Sequence, residues 1–458
     1  MSSDLLVELC RSLDAPQHRY TQLDAYASGK QPLAYLSPGA KLALPKLSRI
    51  VSNIPRLAVT SLAERLRITG FKGADVWADW LANDLDQTAT ILHREALLFG
   101  DAYVICWSRP DGSPLVTVES PRQVAVIKDP ATREITSAVK RWTTKTTTEA
   151  RVYLPDRIEH WRANTTGAAA PAFSLVDTLD NPLETVPVVS FCNADRILGC
   201  GHSEIDDLIP LVDGLNKTLA DLAVAQEYTA RPRRWATGID LMEEPVLDDD
   251  GNPVVEDGEP VMKVVNPIPE DWRTMFSERP ESKFGQLEGA NLAGYQNAVN
   301  IWLGQIMAVS ALPAHFVGIT TENPSSADAL RASEASLTAR AEARQAVFGR
   351  SWERVARLMA AIRDGSDADS VDVKVQWCDP SSRSAAADAD AVTKLVQAGI
   401  LSKSGALRKL GYSESDIEQE RQDTELDAQA GANPEVSAAY RNYAQMLLTK
   451  DKTEGNIQ

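Results

Sequence analysis

The chain has 458 residues, with 47 Lys and Arg against 64 Asp and Glu, a formal net charge of −17. Hydrophobic residues make up 43% and charged residues 24%, ordinary for a globular protein, and the length suits about two to four domains. The acidic balance argues against a chain that grips nucleic acid tightly, since gripping neutralises phosphates with Lys and Arg; DNA sliding past an acidic wall stays open.

Five cysteines (Cys10, Cys106, Cys192, Cys200, Cys378) are scattered, with no CxxC. That pattern reads as free thiols in a reducing cytosol rather than zinc ligands or disulfides. The N-terminus lacks a basic stretch followed by an apolar run, and no stretch approaches the ~20 apolar residues of a membrane helix. The expectation is a soluble protein made in a cytosol.

Leu5, Leu6, Leu9 and Leu13 recur at helical spacing. Residues 47–66 continue apolar, with Pro55 expected to break or kink a helix. Trp77, Trp80, Leu81, Leu85, Ile91, Leu92 and Leu98 predict one long helix over 75–99, capped by Gly100. The period then changes. Residues 102–107 read as a strand, 110–113 as a turn and 115–118 as the return strand. Further strands are predicted at 124–127, 135–142, 150–154 and 158–162. Residues 1–200 are therefore a mixed α+β domain.

A long helix is expected from Ser203 as N-cap, with Asp206 in the capping-box position, to about Ala230, with a kink available at Pro210. Residues 235–286 change character. Asp250-Gly251-Asn252-Pro253 and Asp257-Gly258-Glu259-Pro260 are turn signals, and between Asp240 and Glu259 lie nine acidic residues and no Lys or Arg. This is a small β-rich acidic module between two helices, the second over about 292–309 and ended by Pro313. A polar loop, 318–330, leads into a long helix over 326–363. Its seven Arg against three Glu predict a basic exposed face. A strand at 371–377 and a helical tail complete the chain.

Chemistry-bearing motifs are scarce. Ser28-Gly29-Lys30 lacks the earlier glycine of a phosphate-cradling loop, because position 24 is Asp24. Gly201-His202-Ser203-Glu204 reads as a helix cap with a flanking polar residue in preference to a nucleophile beside a base. Asp248-Asp249-Asp250 reads as solvated turn carboxylates in preference to a Mg²⁺ site. The Arg-bearing helix reads as a solvated or inter-subunit face in preference to a nucleic-acid contact.

Three segments, in order and spacing, resemble the portal protein family of long-tailed bacteriophages. The first is Gly201-His202-Ser203-Glu204-Ile205, a long helix, then Ala230-Arg231-Pro232-Arg233-Arg234. The second is the acidic insert and return helix, ending at Ala311-Leu312-Pro313-Ala314-His315-Phe316-Val317-Gly318. The third is Asn323-Pro324-Ser325-Ser326-Ala327-Asp328-Ala329-Leu330, followed by Glu334, Leu337, Phe348-Gly349 and Trp352-Glu353.

The resemblance implies an α+β portal-like subunit. It has an α/β wing (1–200 and 327–383), a two-helix stem (201–231 and 291–311), a small β-rich clip (232–290), a tunnel loop (312–326) and a helical C-terminal crown and tail (384–458). It implies a homo-oligomeric ring, dodecameric in the usual case, at one capsid vertex of the virion, assembled in the host cytoplasm. Its implied partners are double-stranded DNA in the channel, the terminase large subunit, a head–tail connector or adaptor, and the major capsid and scaffolding proteins. No enzyme activity, cofactor, metal or membrane is implied. The channel-facing candidates are Thr320, Thr321, Glu322, Asn323, Ser325 and Ser326. The partner-binding candidates on the clip are Asp248, Asp249, Asp250, Glu256 and Asp257. Competing readings are another connector or minor capsid protein, or a metal-dependent DNA-processing enzyme built on Asp248–Asp250.

Overall fold

Leu6, Leu9 and Leu13 fall on one face of α1 (Ser2–Asp14), and all three are buried. The computed structural model describes residues 2–32, 51–197, 201–230, 234–238, 242–248, 251–256, 258–265, 280–286, 291–318, 327–381 and 385–432. Helix α2 (Gln17–Ser28) closes on Gly29 in the left-handed conformation. Helix α3 (Ile54–Ala63) carries Pro55 in its first turn, where a missing N–H costs nothing. The expected break at Pro55 is thus a helix start.

Strand β1 (Ile68–Lys72) follows. The single helix expected over 75–99 is two, α4 (Trp77–Ala82) and α5 (Leu85–Phe99), with Asp84 between them at φ 53°. Asn83 accounts for the break. Its amide donates to Asp79 O and Pro114 O, and its Oδ1 accepts from the Val116 backbone N–H and from Arg109. A side chain serving a neighbouring strand in this way competes with helix continuation.

Eight strands come next: β2 (Asp101–Ser108), β3 (Pro114–Glu119), β4 (Val124–Lys128), β5 (Ile135–Thr143), β6 (Thr148–Tyr153), β7 (Arg157–Ala163), β8 (Ser174–Asp180) and β9 (Val188–Cys192). They form a three-stranded antiparallel sheet, β3-β2-β9, and a five-stranded antiparallel meander, β4 to β8. The meander is covered on both faces over β4–β7. Val139, Ala150, Val152 and Trp161 pack with the α1 leucines, while Ala138, Tyr153 and Ile158 pack with Tyr103, Ile105 and Val188. Neighbouring residues such as Ala138 and Val139 thus serve opposite cores, as strand geometry dictates.

Helix α6 (Ile209–Ala230) begins later than Ser203, after a 3₁₀ turn over Asp206–Leu208. Pro210 is the second residue of α6 and sits in its first turn, so the expected kink site is a helix start. The short strands β10 (Arg234–Thr237), β11 (Met242–Pro245), β12 (Val255–Glu256), β13 (Glu259–Pro260), β14 (Met262–Val265) and β15 (Lys283–Gln286) pair antiparallel as β10-β15, β11-β14 and β12-β13. Then come α7 (Ala293–Ser310), the 38-residue α8 (Ala327–Asp364), β16 (Lys374–Trp377), α9 (Ala385–Gln397), α10 (Lys403–Lys409) and α11 (Glu414–Ala432). The strand expected over 371–377 is shorter: it begins at Lys374, opposite Lys72, where the ladder with β1 begins.

The described residues fall into two compact units, one within Met1–Pro32, Val51–Val212 and Leu303–Gln458, the other within Leu33–Ile50 and Asp213–Trp302. The first unit centres on an aromatic cluster. Trp352 of α8 meets Trp80 of α4 edge-on at 4.8 Å and Phe191 of β9 at 4.7 Å, and Phe348 stacks on His93 of α5 at 5.6 Å. Each fully buried large side chain of this kind contributes about 1.5–3 kcal/mol. Strand β1 pairs with β16 across some 300 residues of sequence, Phe71 opposite Val375.

The basic exposed face expected for α8 is mostly consumed within the chain. Arg340 and Arg344 pair with Glu204, Arg354 with Asp369, and Arg363 with Asp79. In the second unit, Gly214 of α6 lets Trp302 of α7 lie flat against it: a Cβ at 214 would stand 2.7 Å from the indole ring. The same indole N–H donates to Thr218 Oγ1 at 3.1 Å.

Candidate functional site

The motif around residue 201 lies where α5 ends. Gly100 closes α5 in the left-handed region, its N–H donating to Ala96 O, and the chain turns directly into β2. Gly201 crosses Gly100 so closely that a Cβ at 201 would stand 2.0 Å from Gly100 O. A helix leaves its last carbonyls without intrahelical donors. Here the Glu204 N–H donates to Leu97 O at 2.9 Å and the Ser203 hydroxyl donates to Leu98 O. Asn193 completes the crossing: its N–H donates to Gly100 O, and its amide donates to His202 O and to Glu204 Oε1.

Ser203 is therefore a structural residue. Its hydroxyl is spent on α5, its own N–H donates to Asp206 Oδ2 at 3.2 Å, and its side chain is buried. That contact is the half of the expected capping box made by the carboxylate.

Glu204 gathers the other elements. Arg344 of α8 donates Nε and Nη2 to its Oε1, at 3.0 and 2.7 Å. Arg340, one turn earlier, lies 3.6 Å from Oε2 and donates Nη2 to Val309 O at 2.6 Å, in the last turn of α7. A guanidinium there meets both an orphan carbonyl and the negative end of the helix dipole. Beyond α7, Ala311 is left-handed at φ 57°, and a 3₁₀ turn over Ala314–Val317 closes on Gly318. His315 Nε2 lies 3.4 Å from Glu334 Oε1 of α8, and Arg65 donates to the other oxygen at 2.9 Å. These groups hold segments in place; none is arranged around a reacting atom.

The buried titratable groups agree. Desolvation pushes His93 down to about 3 and the Cys106 thiol up to about 12, so neither is a poised base or nucleophile near neutral pH. Burial also raises Asp101, against a hydrogen bond from Cys192 that lowers it. Cys10, Cys106, Cys192 and Cys378 are in no disulfide; Cys200 lies outside the described residues. Among the described residues no cluster of three His, Cys, Asp or Glu could hold a metal ion, and no helix is long and apolar enough to cross a membrane.

Of the residues singled out from sequence, Thr320, Thr321, Glu322, Asn323, Ser325 and Ser326 lie outside the described residues, as do Asp249, Asp250 and Asp257. Glu256 lies on β12. Asp248 Oδ1 accepts from the Asn252 N–H at 2.8 Å, and its carbonyl accepts from the Gly251 N–H. Sequence reasoning missed the Glu204–Arg340–Arg344 cluster. Its visible signal was a pair of arginines four apart on one helix, which share a face.

Residues 43–432 match the family model described as phage portal protein, SPP1 Gp6-like. The chain belongs to that portal protein family. The portal protein of Mycobacterium phage D29 is 30% identical over 414 residues, covering 82% of this chain and 79% of that protein. The portal protein of Mycobacterium phage L5 is 30% identical over 403 residues, with the same coverage. Among solved structures, a chain from the neck of a native GTA particle computed with C12 symmetry is similar at 13% identity and a TM-score of 0.44, covering 86% of this chain and 99% of that one. Portal proteins are structural components of the virion, and the matches indicate no catalytic family.

Proposed function

We propose that copies of this chain close into a ring, dodecameric as is usual for the family, at one capsid vertex. DNA passes through the ring during packaging and ejection. The family match over 43–432 carries this reading. The two-helix stem corresponds to α6 and α7, the clip to 232–290, the wing to 1–200 with 327–383, and the crown to the helical tail. Terminase large subunit and the head–tail connector dock on the clip, where Asp248, Asp249, Asp250, Glu256 and Asp257 offer carboxylates to a basic partner. Capsid and scaffolding proteins meet the outer surface, and assembly takes place in the host cytoplasm.

Two observations support the mechanics. Helix α7 is apolar, yet Ile301 is 65% exposed in the single chain, as expected of a helix completed by a neighbouring copy. The net charge of −17 suits a wall that repels phosphate, so DNA slides without sticking. Thr320, Thr321, Glu322, Asn323, Ser325 and Ser326 then face the channel and touch DNA loosely.

Electron microscopy of the purified chain, with light scattering, tests this directly. A closed ring with an axial hole is expected. A particle that stays monomeric alone and in capsids sinks the proposal. Deleting 320–326 should lower DNA packaging or retention while rings still assemble.

A further inference from the structure

Helix α8 holds the segment that follows α7 at two points. Just before that segment, in the last turn of α7, Arg340 Nη2 donates to Val309 O at 2.6 Å, while Nη1 lies 3.6 Å from Glu204 Oε2. At its end, Glu334 Oε1 lies 3.4 Å from His315 Nε2, and Glu334 Oε2 is itself held by Arg65 at 2.9 Å. Arg65 also donates to Pro380 O, so this anchor is braced from the far side. Between the anchors the chain reverses through Ala311 in the left-handed region, buries Leu312, and turns through Ala314–Val317 onto Gly318.

Burial of α8 does not depend on these contacts. Leu337, Ala341, Phe348, Trp352 and Val355 already seat the helix in the core. The two polar anchors instead spend charge on the last turn of α7 and on the 3₁₀ turn that follows it. A charge-assisted hydrogen bond to a carbonyl is stronger and more directional than apolar contact, and a carboxylate 3.4 Å from the imidazole adds a polar contact at the other end, which suits fixing a position. The chain-length consequence is simple. With both anchors made, eight residues, 319–326, separate Gly318 from the start of α8; with neither, sixteen, 311–326, separate the end of α7 from it. Holding 311–318 halves the number of residues between one fixed point and the next.

We infer that Glu334 and Arg340 are positioning residues: they fix 309–318 and so set the point from which the chain leaves Gly318. Their bearing on DNA rests on the proposed assignment of 312–326 to the channel wall.

The test is amide hydrogen exchange on the full chain, wild type against R340M, R340K and E334Q, together with the yield of DNA-filled particles from phage carrying each variant. In R340M and E334Q, exchange over 309–318 should rise at least about tenfold while β5 and β6 stay unchanged. DNA-filled particles should fall by about the same factor although rings still form. Lysine keeps a cationic donor for Val309 O, so R340K should return exchange to within about threefold of wild type. Unchanged exchange over 309–318 overturns the inference. So does a rise shared equally by β5 and β6, which marks general destabilisation, or a loosened segment with undiminished packaging. Should R340M not fold, E334Q, nearly isosteric, still decides the matter. A wild-type chain that forms no ring overturns the proposed function alone, and the exchange comparison then still judges the anchors.

Discussion

Trp352 donates its indole N–H to His93 Nε2 across 2.9 Å, with both side chains fully buried. An indole N–H is only a donor, so Nε2 must be the unprotonated nitrogen and the ring neutral. The Leu66 carbonyl, which favours a proton on the ring, does not reach Nδ1 in hydrogen-bonding geometry. Burial therefore dominates, and the ring is held down to about 3 from 6.5.

A pH dependence follows. Below pH 6.5 the unfolded chain takes up a proton at His93 that the native chain refuses. The group's contribution is full above about 6.5 and declines as pH falls toward about 3. Between pH 7 and pH 5 it amounts to a loss of ~2 kcal/mol. Urea denaturation of wild type and H93Q at both pH values isolates it from the carboxylates. The wild type should lose ~2 kcal/mol more than H93Q; identical losses would refute the assignment.

Glu204 and Arg344 are both largely buried, and each leaves the other exposed to an uncompensated desolvation cost if removed. R344M should destabilise the chain by roughly 3 kcal/mol, with Arg340 only partly compensating. E204Q should cost less, because the amide oxygen still accepts from Arg344 even though the guanidinium loses its counter-charge. The double variant E204Q/R344M should be less destabilised than the sum of the two by at least about 1 kcal/mol. Additive effects in equilibrium denaturation would show that the pair is not coupled.

Gly201 passes over Gly100 backbone to backbone, and neither partner is a flexible side-chain tip. G201A should therefore cost more than about 3 kcal/mol or prevent folding. A circular-dichroism melt reads this, and a variant as stable as wild type would mean that the crossing is looser than the geometry implies.

Ile301 stands largely exposed on α7, so a polar residue there costs the isolated chain little, within about 0.5 kcal/mol. I301K should leave the chain folded and yet block ring closure, as read by light scattering. Rings of normal mass would remove α7 from the proposed subunit interface.

Much of the architecture was legible because it is local. Apolar spacing gave α7 and α8 to within a residue, the presence of α1, and α6 except for its start, and turn chemistry gave the hairpin of β2 and β3. The residues that mark the family lie in segments readable by eye, from Gly201 to Glu353. Strands β1, β8 and β9 went unread, being short runs of five to seven residues whose periodicity cannot separate strand from loop.

The amino-acid order by itself determined most of the long helices and the main run of strands, where glycine and proline punctuate them, and the family to which the chain belongs. Only tertiary structure decided that Asn83 splits a helix to serve a strand, that Ser203 caps α5 from outside rather than starting α6, and that Glu204 meets arginines 136 and 140 residues further on. Periodicity reports how a segment sits against its own neighbours, whereas ion pairs and backbone crossings depend on distant segments reaching one point in space. No local pattern carries that information.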